Sequence, residues 1–226
     1  MTGKVYETDV FPTSVGELAM TFLGHGTLMF ELGETVIHID PFGRVADYSE
    51  LPEADLVLIT HEHMDHLDLD ALSEIVVDET VVLLTERCAE KVDHGVVLGP
   101  GDAMTAAGIE IAAVPAYNIK HTRPGGQPFH PKGAGNGYVL TLGDTRVYVA
   151  GDTEDIPEMA ELEGIDIAFL PMNLPYTMTP AMAAKAARAF KPKVVYPYHF
   201  GNTDTGELVR LLADESGIEV RVRDLA

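Results

Sequence analysis

Residues 56–68 read LVLITHEHMDHLD, an apolar run that stops at three histidines, His61, His63 and His66, interleaved with Asp65 and followed by Asp68. The preceding DLVLIT is almost continuously apolar, the pattern of a strand buried on both faces, and such a strand requires helices to cover its sheet. A strand ending in a polar burst aims side chains into the space beyond the sheet edge, where sites of layered α/β folds form. His61 and His63, two apart, project to one side of an extended chain, and the following turn can swing Asp65 and His66 toward the same point. Glu62 and Met64 alternate with them and are expected to point away.

Neutral imidazoles with a carboxylate are the ligand set of zinc and related divalent metals. Burying three histidines and two acids without a cation would cost about 1–3 kcal/mol for each polar group left unpaired. A solvated polar loop is the bland alternative, and the density of ligand-type residues argues against it. The single cysteine, Cys88, excludes an internal disulfide and a cysteine-based zinc site, and reads as an ordinary semi-buried residue.

The rest of the chain supplies the elements such a strand needs. ELAMTFLG, TLMFELG and TVIHID, with a turn at Gly33 and Glu34, predict antiparallel neighbours in the first third. A helix at LDLDALSEIV and a strand at TVVLL follow, then strands at GIEIAAVPA, GYVLTL, TRVYVAGD and GIDIAFLP. TPAMAAKAARAFKP predicts a helix capped by Thr179, with Pro180 in its first turn and Pro192 beyond its end. It leads into KVVYPYHF, a helix from about Thr205 to Glu215 and a strand at IEVRV. The opening MTGKVYETDVFPTSVGE reads as an irregular lead-in without a secretory signal, so the cytoplasm is the default location. The order predicts one domain over residues 1–226, an α/β fold of two similar halves, each a sheet with helices on its outer face.

The pattern H-x-H-x-D-H after a hydrophobic strand resembles the signature of the metallo-β-lactamase superfamily, whose fold is a four-layer αββα sandwich. FLGHGTLMFEL followed by IDPF is similar to the opening of the branch containing ascorbate-phosphate lactonases and N-acyl phosphatidylethanolamine phospholipases. VYVAGDTE resembles the strand that ends in a metal-bridging aspartate, which implies Asp152, and VVYPYHF resembles the strand carrying the last metal histidine, which implies His199.

The resemblance implies two adjacent divalent ions, zinc first, with manganese, nickel or iron as alternatives. His61, His63 and a third histidine would hold one, Asp65, His66 and His199 the other, with Asp152 bridging. Two cations sharing a water lower its pKa enough to hold hydroxide near neutral pH. Asp65 and Asp152 are then the catalytic carboxylates. Many relatives place the third histidine after P-A-x, where this chain has Asn118 in VPAYN. His130 in PFHPKG is favoured over His121, Asn118 or a vacant position. His25 and Asp40 are either turn and cap residues or lie at the rim, Asp40 orienting a metal-bound histidine. His38 is expected to face solvent or a neighbouring strand. Asn173, Tyr176 and Lys132 are candidate substrate contacts.

The expected function is a hydrolase cleaving a small ester, lactone or phosphodiester with metal-bound hydroxide. The loops 41–54 and 118–136, or a neighbouring subunit of a homo-oligomer, would wall its pocket. A net charge of −21, from 36 acidic against 15 basic residues, argues against nucleic acid, and hence against a nuclease. No apolar run spans a bilayer, so a membrane is not an expected partner and the substrate is a small molecule. Glu62 stands where iron-dependent redox relatives place an acid, but their flavodoxin-type partner domain is missing. A sensor-like metal-binding relative is the non-enzymatic alternative.

Overall fold

In the computed structural model, which describes residues 4–226, the chain builds two seven-stranded sheets of matching design. The first contains β1 (Glu7–Thr13), β2 (Gly16–Gly24), β3 (Thr27–Leu32), β4 (Thr35–Ile39), β5 (Leu56–Leu58), β6 (Val81–Leu84) and β7 (Val96–Val97), lying side by side in chain order. β1 to β4 pair antiparallel, and β4 to β7 pair parallel. The helices α1 (Leu69–Ile75) and α2 (Glu86–Ala89) lie in its parallel connections.

The second sheet repeats the plan with β8 (Ala103–Ala106), β9 (Ile109–Ala116), β10 (Gly135–Leu142), β11 (Thr145–Val149), β12 (Ile167–Pro171), β13 (Val194–Tyr198) and β14 (Glu219–Val220). Here β8 to β11 are antiparallel and β11 to β14 parallel, with α3 (Pro180–Phe190) and α4 (Thr205–Leu212) in the connections. Thr179 caps α3 by accepting from Met182 N at 3.2 Å, as a Thr-Pro start should behave, and Lys191 closes it in the left-handed conformation.

The inner faces pack together, Met20, Phe30, Ile37 and Leu58 meeting Tyr138, Leu140, Phe169 and Tyr196. Phe169 stacks on Tyr196 with ring centroids 5.0 Å apart, and truncating a buried phenylalanine of this kind to alanine costs about 3–5 kcal/mol. The outer face of the first sheet sends Val57 and Ile59 against Leu72, Ile75 and Cys88. The outer face of the second sends Ala168 and Leu170 against Met182, Ala183, Ala187 and Leu208. The layers run helix, sheet, sheet, helix, a four-layer αββα sandwich. Among the described residues no helix is long and apolar enough to cross a membrane.

Some sequence expectations change. The supposed lead-in forms β1, registered on β2 from Glu7 opposite Phe22 to Thr13 opposite Gly16. Its largely polar, Pro12-containing sequence hid an edge strand, where proline is tolerated. Cys88 is fully buried rather than semi-buried, its Sγ 3.2 Å from Thr85 Oγ1. His38 does not face solvent. Ile37 and Ile39 occupy the inner face, so strand alternation drives His38 into the outer layer, where it is fully buried 3.0 Å from Pro52 O and burial lowers its pKa to about 4.

Candidate metal centre

The parallel strands of both sheets deliver their carboxyl ends to one edge. Asp40 follows β4, the segment Thr60–His66 follows β5, Asp152 follows β11, Asn173 follows β12 and His199 follows β13. Two hydrogen bonds fasten the β5 exit to the second sheet: Tyr138 Oη donates to Ile59 O at 2.9 Å and Asn136 N to Thr60 O at 2.9 Å. The histidine segment is thus held from both halves.

Three groups of side chains converge there. The possible ligand atoms of His61, His63 and His130 lie within 4.8 Å of one another, as do those of His25, Asp65, His66 and His199, and those of His61, His66 and Asp152. Asp152 stands between the first two. Its Oδ2 is 3.2 Å from His130 Nε2 and 3.9 Å from His61 Nε2, and its Oδ1 is 3.6 Å from His66 Nε2 and 3.5 Å from His199 Nε2. Asp65 Oδ2 is 3.5 Å from His199 Nε2 and 3.9 Å from His66 Nε2.

Several ring nitrogens on the far side are fixed. Asp40 Oδ2 accepts from His66 Nδ1 at 2.8 Å, and Asp40 is itself held by Thr60 N at 2.7 Å and Thr60 Oγ1 at 2.6 Å. Asn118 Oδ1 accepts from His130 Nδ1 at 2.6 Å and from His130 N at 2.9 Å. The Asn173 amide lies 3.2 Å from His199 Nδ1. Each arrangement leaves Nε2 pointing inward, as in sites where an outer partner sets the tautomer of a metal-ligating histidine.

Whether these residues suit a cation is decided by what they leave unmet. His66 Nε2 and Asp152 Oδ1 are buried and have no hydrogen-bond partner, although buried polar groups are nearly always paired. Burial opposes charge on His66, yet Asp152, Asp40 and Asp65 push its pKa up to about 9. Burial and the neighbouring His66 hold His61 well below the ordinary histidine value. Burial would raise the carboxyls of Asp65 and Asp152, but hydrogen bonds and charge from the surrounding imidazoles hold both well below the usual range. Ionised oxygens and imidazole nitrogens facing one space form a nitrogen and oxygen donor set that divalent metals fit.

The backbone is bent to make this possible. His25, Asp40 and His199 all adopt positive φ, at 55°, 48° and 45°, a conformation costing on the order of 1–3 kcal/mol outside glycine. The ring of His25 lies tilted against that of His199 with centroids 3.8 Å apart, and its Nε2 is 3.0 Å from Asp65 Oδ2, so it lies inside the centre rather than at its rim. Gly26 cannot carry a side chain without crowding, since a Cβ would lie 3.0 Å from His66 Cε1.

Of the rival positions, His130 reaches Asp152 and His121 does not. His121 is drawn away, its Nδ1 2.8 Å from Thr177 O and 3.0 Å from Glu154 Oε1. Asn118 stands behind His130. Lys132 is not brought to the centre: it turns outward to pair with Glu158 at 2.7 Å over the ring of Tyr117. Glu62 pairs with Arg87 at 2.9 Å and joins none of the three groups, which weakens the iron-acid analogy, and Met64 is exposed.

Sequence reasoning missed Glu154, a fully buried carboxylate that accepts from Ile119 N, Lys120 N and His121 N at 2.8, 2.7 and 2.6 Å. It fastens the loop that carries Asn118, and its only sequence signal is its place two residues after Asp152. Thr60 was missed similarly, directly before His61.

Two cavities flank the centre. One, of about 530 Å³, is bordered by His61, His63, Arg87, Arg123, Phe129 and His130. The other, of about 390 Å³, is bordered by Asp65, Arg123, Phe129, Asn173, Tyr176 and His199. The loop at 118–136 contributes to both, as expected. The loop at 41–54 borders neither; it covers the outer layer beside α1 and approaches the centre at Phe42, whose ring centroid is 5.6 Å from that of His25.

Residues 19–199 match the family model of the β-lactamase superfamily domain, and the chain belongs to that superfamily. Within it the chain is a metal-dependent hydrolase. It is 34% identical over 220 residues to the UPF0173 metal-dependent hydrolase of Thermococcus kodakarensis, covering 88% of this chain and 94% of that one. A crystal structure described as that of a metal-dependent hydrolase from Parabacteroides distasonis matches with a TM-score of 0.94 and 49% identity, over 98% of this chain and all of the other. A metallo hydrolase from Ignicoccus hospitalis matches with a TM-score of 0.75 and 25% identity, over 92% and 96% of the two chains.

Proposed function

We propose that this hydrolase holds two divalent ions, zinc by its donor set, and cleaves an ester, lactone or phosphodiester bond in a small molecule. The observation carrying this reading is the division of Asp152, one oxygen toward His61 and His130 and the other toward His66 and His199. His61, His63 and His130 would hold one ion, Asp65, His66 and His199 the other, and Asp152 both. When bound, such a pair would supply Lewis acidity and lower the pKa of a coordinated water.

The chain's own groups do the remaining work. Asp40 and Asn118 fix the tautomers of His66 and His130, so each presents Nε2 without a rotamer search. Phe129 and Tyr176, edge to face with ring centroids 5.0 Å apart, line the cavity beside Asp65 and His199 with aromatic surface. Cavities of about 530 and 390 Å³ suit a small molecule rather than a polymer, and a net charge of −21 disfavours nucleic acid.

Elemental analysis of protein purified without chelator tests the reading, with wild type beside His130→Ala and His121→Ala. About two metals per chain in the wild type, falling toward one in His130→Ala alone, is expected for a shared pair. A wild-type value near one, insensitive to both changes, would rule out the paired centre. Chromogenic phosphodiesters, lactones and esters tested on the loaded wild type then separate the bond classes.

A further inference from the structure

We propose that Arg123, standing on the ring of Phe129, recognises an anionic group of the substrate, so that the molecule cleaved carries a carboxylate or phosphate beside the scissile bond. The proposal rests on the hydrolase reading above and narrows its substrate class.

Arg123 borders both cavities that flank the centre, as do Phe129, His130 and Asp152. A group bound at Arg123 is therefore next to both halves of the proposed metal pair. The guanidinium carbon lies 5.2 Å from the centroid of Phe129, which in turn meets Tyr176 edge-on. A guanidinium stacked by its face keeps its N–H edge free, and that planar fork matches the two oxygens of a carboxylate or phosphate.

Arg87 and Arg123 are the basic residues bordering these cavities among the described residues, and their charges are met differently. Acidic residues outnumber basic ones 36 to 15. Arg87, in the wall of the larger cavity, has taken one in Glu62 at 2.9 Å. No carboxylate of the described residues lies within 4.0 Å of Arg123. The long-range field of a chain at −21 repels anions, so an anionic substrate would need a local cation at the site of contact.

The backbone fixes the point from which the Arg123 side chain extends. Arg123 N donates to Gln127 O at 2.7 Å, Gly126 N donates to Arg123 O at 2.9 Å, and Thr122 bridges to Pro128. The turn is closed by Gly125 and Gly126 at φ 106° and 85°, values that glycine adopts freely. Arg123 thus sits at the base of a tight hairpin whose other arm leads through Phe129 to His130.

Isothermal titration of the metal-loaded protein with phenylphosphonate, an anion with an aromatic ring and no cleavable ester, tests the proposal. The wild type is expected to bind, and Arg123→Gln to bind at least about tenfold more weakly with unchanged metal content, since a bidentate charge-assisted contact is lost. Arg123→Lys should recover part of the loss. The double change Arg87→Gln with Glu62→Gln removes one positive and one negative charge from the same wall and should alter affinity less than about threefold. No binding by the wild type, equal binding by Arg123→Gln, or an equal loss in the double variant would overturn the assignment. Failure of the hydrolase reading would show separately, as a protein that keeps its metals and its Arg123-dependent phosphonate binding yet turns over no ester, lactone or phosphodiester.

Discussion

His66 and Asp40 are both fully buried and share a 2.8 Å hydrogen bond from Nδ1 to Oδ2, while the other nitrogen of the same ring faces Asp152 Oδ1 at 3.6 Å. Asp40 therefore sets which nitrogen of His66 is free. Asp40→Ala should weaken binding of the ion near His66 by about 10–100-fold, the usual cost of losing such an outer partner, with the other half-site less affected. Competition against a chromogenic chelator measures both affinities. Unchanged affinity of both ions would reject the orienting role.

Gly151 directly precedes Asp152 at φ 64°, and a Cβ there would lie 2.6 Å from Asn136 O and 3.1 Å from Thr60 Cβ. The chain cannot relieve this without moving either Asp152 or the β5 exit. Gly151→Ala is expected to cost on the order of 2 kcal/mol or more and to lower metal content as well. Thermal unfolding beside elemental analysis checks both, and a variant matching wild type in the two would show that the strand end is more plastic than its contacts imply.

Asp9 on β1 ties the two sheets together, accepting from Tyr196 on β13 and pairing with Arg223 at 2.8 Å and Arg221 at 3.5 Å. Burial would raise its pKa, but the hydrogen bonds from Tyr196 and Arg223 and the two arginine charges hold it below the usual carboxylate value. With a folded pKa below the unfolded one, its contribution is present in full above about pH 4 and is lost as pH falls through the folded value. Asp9→Asn should therefore melt below wild type at pH 7, with the gap narrowing toward pH 3. A gap independent of pH would mean that the ion pairs contribute nothing.

Metal removal is expected to loosen one part of the 118–136 loop rather than all of it. Its base is held without metal, by Glu154 on three successive backbone N–H groups and by Asn118 N donating to His130 O at 2.8 Å. The hairpin at 122–128 has few such ties and joins the centre through His130. Chelation should speed hydrogen exchange in 122–129 while 119–121 stay slow. Equal acceleration of both stretches would show that Glu154 does not hold the base.

Much of this was legible in the chain. The polar burst after DLVLIT marked the centre, because a doubly buried strand ending in ligand-type residues leaves them no apolar environment to share. The repeated order of strands and helices showed two halves, and Thr179 with Pro192 bounded α3, because periodicity and capping act over a few neighbouring residues. β1 was obscure for the opposite reason: an edge strand buries little, so its composition carries little signal.

The sequence by itself determined which residue types would meet at one sheet edge and that their chemistry suits divalent metal. Only the tertiary structure decided which of them meet. His121 and His130 are near neighbours in one loop, and what separates them is Glu154 and Thr177, which draw His121 aside, and Asn118, which turns His130 inward. Lys132 goes to Glu158 and Arg123 stays unpaired for the same reason. A loop side chain points where contacts distant in sequence leave room and a partner, and neither is written in its immediate neighbours.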